Sequence, residues 1–344
     1  MKTTCLLALI GESLAAKAAS NSPSFIDAQI DLDPVSYMTQ MGKLANLSNI
    51  KQLLSQIDEY PPKKIPNLTK FKPMKIDDLR RALEISYMPT CPEDKVMGLT
   101  CICDSEYSDI GFARNTTYES SALIGYDKKN KQLIVAYKYT SSIRNWLSNF
   151  DFLLGQLEGA PKGIQVHRGM MEIYSSIHDQ VMHKANEVMK NKKPKGILVT
   201  GYSLGGSLAI LSTHYWAQFK KKHNVPVFVM GFSPARIGNL DTKLYMEGLG
   251  IEINHYTNRN DIVPQIPPRI LNYTHIGLEI HEQAATPVTS ELVVCSQEYD
   301  EDPNCAWGES GFRISHHMMP FGHIPILPPY CGKSDERKGI PDYA

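Results

Sequence analysis

No apolar stretch in this chain reaches the ~18 residues that a membrane-spanning helix needs. Charge of one sign is not in excess either: 36 lysines and arginines stand against 36 aspartates and glutamates, a formal net charge of zero. A protein that grips nucleic acid through its phosphates shows a basic excess or a basic block, and neither is present, so a nucleic-acid partner is not expected. There is no internal repeat and no low-complexity tract, which sets aside solenoids and flexible tethers. No cysteine–histidine spacing fits a zinc site, so no metal is expected. What is left is the composition of a globular protein, long enough to bury a large core.

The N-terminus reads as a secretory signal. Lys2 supplies the positive start, residues 5–10 the apolar region, and Ala16-Lys17-Ala18 a small-x-small cleavage site. Residues 1–19 are therefore expected to be a signal peptide and the product to be secreted. Of the seven cysteines, Cys5 would leave with that signal. The remaining even number suits disulfides, though spacing alone does not choose the pairing. Asn46, Asn67, Asn115 and Asn272 each begin an N-x-S/T sequon. Residues 20–64 are polar and proline-punctuated and read as a propeptide or linker, with Lys63-Lys64 a candidate processing site. Residues 65–344 are then the main domain.

Within that domain, apolar residues at 76, 79, 83 and 87 predict a helix with Arg80 and Arg81 on its wet side. Residues 120–127 and 132–140 read as strands joined by a hairpin at 128–131. A long helix is expected over 170–189, with Met171, Tyr174, Ile177, Val181, Ala185 and Val188 on one face. Further strands are expected over 225–232 and 253–257, and an irregular wrap after Phe321. Strands alternating with long helices imply an α/β fold, its mostly parallel sheet covered on both faces.

The chain is organised around residues 196–219, GILVTGYSLGGSLAILSTHYWAQF. An apolar strand runs into Gly201-Tyr202-Ser203-Leu204-Gly205, and a helical pattern follows at once. Strand, sharp turn and helix form the setting of a G-x-S-x-G nucleophile elbow. The glycines permit strained torsions and close backbone approach, and Ser203 falls at a helix N-terminus, where negative charge is favoured. A serine hydroxyl needs a base to take its proton, and the base needs an acid to orient it. Asp261 follows the strand at 253–257 and occupies the sheet edge where α/β folds place ligand sites. For the base, chain order excludes none of His275, His281, His316, His317 and His323, which follow Asp261, and composition does not choose between His316 and His317. Nearby, Ile143, Trp146, Leu147 and Phe150 fall at i, i+3, i+4 and i+7, an apolar helical stripe with polar residues opposite.

From about residue 76 to 331 the chain resembles the class-3 lipases, the secreted triacylglycerol lipases of filamentous fungi. The resemblance runs through ordered segments: AYKYTSSIRNW at 136–146, His167-Arg168-Gly169, GYSLGG at 201–206, GFSPARIGN at 231–239, NRNDIVPQIPP at 258–268 and HMMPFG at 317–322. It implies an α/β-hydrolase fold with a short helical lid. It also implies a triad of Ser203, Asp261 and His317, with oxyanion donors on Thr140 and Leu204. The stripe of Ile143, Trp146, Leu147 and Phe150 becomes the lid. Disulfides Cys91–Cys331, Cys101–Cys103 and Cys295–Cys305 fit the family spacing. The implied enzyme is a secreted monomer that uses no cofactor, cleaves triacylglycerols at a lipid–water interface and is processed near Lys64. Phospholipase A1 and feruloyl esterase activities occur in the same family, and a lipid-binding protein with a weakened site is the non-enzymatic alternative. Two departures bear on the site. Tyr139 replaces the usual glycine directly before the oxyanion threonine, and Pro320 replaces an aromatic residue after the histidine.

Overall fold

The computed structural model describes residues 61–65, 70–90, 106–140, 152–285, 290–309 and 313–322. The expected signal peptide, the lid residues Ile143, Trp146, Leu147 and Phe150, and the cysteines 91, 101, 103 and 331 lie outside the described residues. Of the expected disulfides, Cys295–Cys305 is present, with a Cα–Cα distance of 6.2 Å.

In chain order the main elements are α1 (Ile76–Tyr87), β1 (Tyr107–Asn115), β2 (Ser120–Asp127), β3 (Gln132–Tyr137), β4 (Leu154–Gln156), β5 (Gln165–His167) and α2 (Arg168–Lys192). Then come β6 (Gly196–Tyr202), α3 (Leu204–Leu211), α4 (Thr213–His223), β7 (Val227–Phe232), α5 (Leu240–Glu247), β8 (Glu252–Asn258), β9 (Leu278–Ala285), β10 (Ser290–Val294) and α6 (Ile314–His317). Eight strands form one sheet in the order β1-β2-β3-β6-β7-β8-β9-β10. The pairs from β3 through β9 are parallel, while β1–β2, β2–β3 and β9–β10 are antiparallel. This is the α/β-hydrolase architecture, a parallel centre with antiparallel margins.

Strand side chains alternate between faces, and the core divides accordingly. Leu133, Val135, Ile197, Val199, Val227, Val229 and Ile253 pack on one side with the buried residues of α2, α3 and α4. Ile134, Ala136, Leu198, Tyr202, Met230, Phe232 and Tyr256 face the other side, under Leu79, Leu83 and Tyr87 of α1. Helices therefore cover both faces, and the strand ends between them are left to carry loops.

Several sequence expectations are corrected in detail. Arg81 does not lie on a wet face: its Nε donates to Asp127 Oδ2 at 2.7 Å, and Asp127 is fully buried. The helical run after Ser203 is two helices that meet at Ser212, and α3 is buried along its whole length. On α2 the first inward residue is Met170, with Met171 only partly buried. The apolar run through 140 stops being strand at Tyr137, so Lys138, Tyr139 and Thr140 belong to the loop above the sheet. The chain around the basic pair is held in place. Lys63 N donates to Asp300 Oδ1 at 2.7 Å, and Asp300 N donates to Lys63 O at 2.9 Å. The side chains of Lys63 and Lys64 are exposed.

Candidate active site

The elbow is built where β6 meets α3. Ser203 has φ 54° and ψ −124°, a conformation that disfavours a residue with a side chain and costs on the order of 1–3 kcal/mol. Backbone bonds on both sides hold it: Ser203 N donates to Phe232 O at 2.8 Å, and Ser207 N donates to Ser203 O at 3.0 Å. The flanking glycines are required by contact. A Cβ on Gly201 would lie 2.2 Å from Gly205 O, and one on Gly205 would lie 2.2 Å from Tyr137 O. The first turn of α3 is thus pressed against β6 and against the chain leaving β3. That places Leu204, with its N–H at the helix start, close to the segment that continues to Thr140.

The acid and the histidine come from loops at the same edge of the sheet. Asp261 follows β8 in a tight turn: its N donates to Asn258 O at 2.9 Å, and its Oδ1 accepts from Val263 N at 2.9 Å. His317 ends α6, and its Nδ1 lies 2.8 Å from Asp261 Oδ2 and 3.1 Å from Oδ1. Of the two neighbouring histidines, His317 is the one that meets Asp261. His316 instead lies half-buried, and burial, with Arg259 nearby, pushes it down to about 4. His317 Nε2 and Ser203 Oγ are both buried, and among the described residues neither has a hydrogen-bond partner, so they are not bonded to each other. The three residues are 2%, 1% and 1% exposed for Ser203, His317 and Asp261.

Tyr139 takes the place of the usual glycine without a glycine-like torsion. It is not among the residues with positive φ, so the loop does not need glycine's torsions there. Its ring packs edge-on against Tyr87 at 6.4 Å and Tyr202 at 6.3 Å, away from the sheet face that carries α3. Pro320, the second departure, opens a short turn in which Phe321 stacks on Tyr256 at 4.9 Å.

Side chains near the site also make contacts that sequence reasoning gave no role. Tyr202 Oη donates to His317 O at 2.5 Å, and Asn258 Nδ2 donates to His316 O at 2.5 Å and Met319 O at 2.8 Å. Phe321 N donates to the hydroxyl of Tyr256 at 2.9 Å. Tyr202 and Asn258 lie inside quoted motifs, but nothing in those motifs marks a side chain that holds a distant loop. Behind the site, Arg236 makes two 2.7 Å bonds to Glu301, and Arg269 reaches Asp300 at 2.7 Å. Burial pushes the Glu301 carboxyl upward, and Arg236 overcomes that and holds it well below the usual range. Among the described residues, metal-ligating atoms gather only at Glu279, Cys295 and Cys305, and the disulfide removes both thiolates.

Comparison with known proteins places this arrangement in context. Residues 134–271 match the model of the class 3 lipases. A lipase from Rhizomucor miehei is 25% identical over 207 residues, which is 60% of this chain and 56% of the relative. The chain thus spans little more than half the length of that relative. A secreted mono- and diacylglycerol lipase of Penicillium cyclopium is 24% identical over 221 residues, covering 63% of this chain and 68% of the relative. The solved structure of a triacylglycerol lipase with a serine protease triad at its catalytic centre superposes with a TM-score of 0.64 at 22% identity. It covers 79% of this chain and all of the lipase, and at that identity the likeness is one of fold.

Proposed function

We propose that this chain, whose residues 134–271 belong to the class 3 lipase family, hydrolyses carboxylic esters of glycerides through Ser203, His317 and Asp261. The observation that carries the reading is the 2.8 Å bond from His317 Nδ1 to Asp261, with the other ring nitrogen left unpartnered and buried like Ser203 Oγ. In this scheme Asp261 accepts from Nδ1–H, which leaves Nε2 as the base. Nε2 takes the Ser203 proton as Oγ attacks the ester carbonyl. The backbone N–H of Leu204 and the N–H and hydroxyl of Thr140 receive the oxyanion; losing one such donor typically costs about 3–4 kcal/mol of transition-state stabilisation. The imidazolium returns its proton to the departing alcohol. Water, deprotonated by the same nitrogen, then releases the fatty acid and frees Ser203.

The burial of Ser203 supports a gated site, and the apolar stripe of Ile143, Trp146, Leu147 and Phe150 is the segment assigned to the gate. Triacylglycerol is the substrate proposed, acted on outside the cell by a secreted enzyme matured near Lys64. A phospholipase A1 or a feruloyl-type esterase would share the triad and differ in substrate. A lipid-binding protein with a weakened site is disfavoured because the Tyr139 ring is accommodated on Tyr87 and Tyr202 without a positive φ at Tyr139.

The test is hydrolysis of a triglyceride series below and above the solubility limit, with Ser203→Ala in parallel. A rate jump at the interface and a dead variant are expected. Smooth saturation would replace the gated lipase by an ordinary esterase, and a fully active variant would remove the serine mechanism. Preference for phosphatidylcholine over triolein would assign the phospholipase reading.

A further inference from the structure

We infer that Tyr202, the residue directly before the proposed nucleophile, is a positioning residue that fixes the catalytic histidine through its backbone. The inference rests on the triad reading above and adds to it a device that ties the elbow to the base. Tyr202 is fully buried at the end of β6, and its hydroxyl donates to the carbonyl oxygen of His317 at 2.5 Å. Its ring lies 5.3 Å from the His317 imidazole and is held in turn by Tyr87 at 5.5 Å and Tyr139 at 6.3 Å.

The acid's turn grips the same loop from the other side. Asn258, three residues before Asp261, donates from one amide nitrogen to the carbonyls of His316 and Met319. The histidine sits on a helix of only four residues, which cannot hold its own place by helical hydrogen bonding. The Ile314 and Ser315 carbonyls accept from Met318 N, while the carbonyls of the last two residues, His316 and His317, accept from the Asn258 and Tyr202 side chains. Each partner of His317 in the triad therefore has a near neighbour in sequence that fixes the His317 loop. A shift of the serine strand or of the acid turn carries the imidazole with it, so the separation of Oγ and Nε2 is preserved. Displacing a catalytic group by about 1 Å costs on the order of 100-fold in rate, which makes such a tether consequential.

Tyr202→Phe removes the hydroxyl and keeps the ring packing. Hydrolysis of a soluble p-nitrophenyl ester is measured in this variant, in His317→Ala and in the double variant. The expected result is a fall in kcat of roughly 10–100-fold with KM changed less than about twofold. In the His317→Ala background the same substitution should change the residual rate less than about twofold, because Tyr202 acts through the histidine. An unchanged kcat in Tyr202→Phe would overturn the inference. So would an equal loss in both backgrounds, which would mark a purely structural role. Should Tyr202→Phe not fold, Asn258→Ser puts the same question from the acid's side, with the same two outcomes. Failure of the triad reading is distinguishable, because it would appear as activity surviving in Ser203→Ala whatever Tyr202 does.

Discussion

At the scale of single residues, the site depends on groups whose neighbours leave them one available partner. His317 spends Nδ1 on Asp261, and its other nitrogen and Ser203 Oγ are buried without partners. A buried polar atom without a partner is costly, and active sites are where that cost is retained. Tyr139 is the departure from the family pattern whose packing the structure supplies. A bulky side chain in a glycine's usual place suggests a disturbed oxyanion loop, yet the ring has somewhere to go, between Tyr87 and Tyr202. Tyr139→Ala is accordingly expected to lower stability by about 1–3 kcal/mol, as a partly buried aromatic truncation does, without raising the rate on a soluble ester. Chemical denaturation and initial rates check both parts; a several-fold faster variant would show that Tyr139 obstructs the donors after all.

At the scale of elements, what could be read from sequence depended on whether an element has one wet face. The helix α1 was legible because its apolar residues recur at helical spacing, and its span, Ile76–Tyr87, agrees with expectation. The helix α3 was read as part of one helical run, because all of its residues are buried and no wet face marks its end at Ser212. The strand β9 was missed for a related reason. It buries Glu279, His281 and Glu282 beside Leu278 and Ile280, and these polar residues are accepted because specific partners meet them: Thr257 for Glu279 and His281, Tyr256 for Glu282. Hydropathy cannot see partners. The elbow, by contrast, was legible because its chemistry and its backbone demand the same few residues in a row.

The pairing of α1 with the sheet margin belongs to this scale as well. Arg81 reaches Asp127, which also accepts from Asn130 N at 3.0 Å and so holds the β2–β3 turn. Asp127→Ala leaves the partly buried Arg81 guanidinium only its longer 3.3 Å bonds to Glu106 and frees the turn. A loss of about 2–3 kcal/mol is expected, read as a lower denaturant midpoint with an unchanged slope.

At the scale of the whole molecule, the buried charges behind the site set how stability responds to pH. Burial, the largest influence, raises the Glu279 carboxyl to about 7, although Thr257 and Ala306 both donate to it. Its folded-state value exceeds its unfolded one, so the folded protein binds more protons between about 4.5 and 7 and stability falls as pH rises through that window. Burial also lowers His275, to about 4, with Glu301 acting against it. Here the unfolded chain binds more protons between about 6.5 and 4, so stability is lost as pH falls through that range. The two groups oppose one another, and single variants separate them. Glu279→Gln keeps an acceptor oxygen for both donors. It should stabilise the protein above pH 7 by an amount on the order of 3 kcal/mol at most, with the gain vanishing below about pH 4.5. His275→Gln should flatten the acid side of the profile. Thermal unfolding from pH 4 to pH 8 checks both signs, and a gain from Glu279→Gln that grew toward acid would reverse the argument.

The same scale holds the central claim, that one serine at the edge of an eight-stranded sheet attacks esters with a histidine and an aspartate from neighbouring loops. Its most direct test is covalent trapping with a p-nitrophenyl alkylphosphonate, followed by peptide mass spectrometry. The account predicts one adduct, on Ser203, formed in step with the loss of esterase activity, slowed at least 100-fold in His317→Ala and absent in Ser203→Ala. Activity lost with Ser203 unlabelled, or an adduct on another side chain, would contradict it.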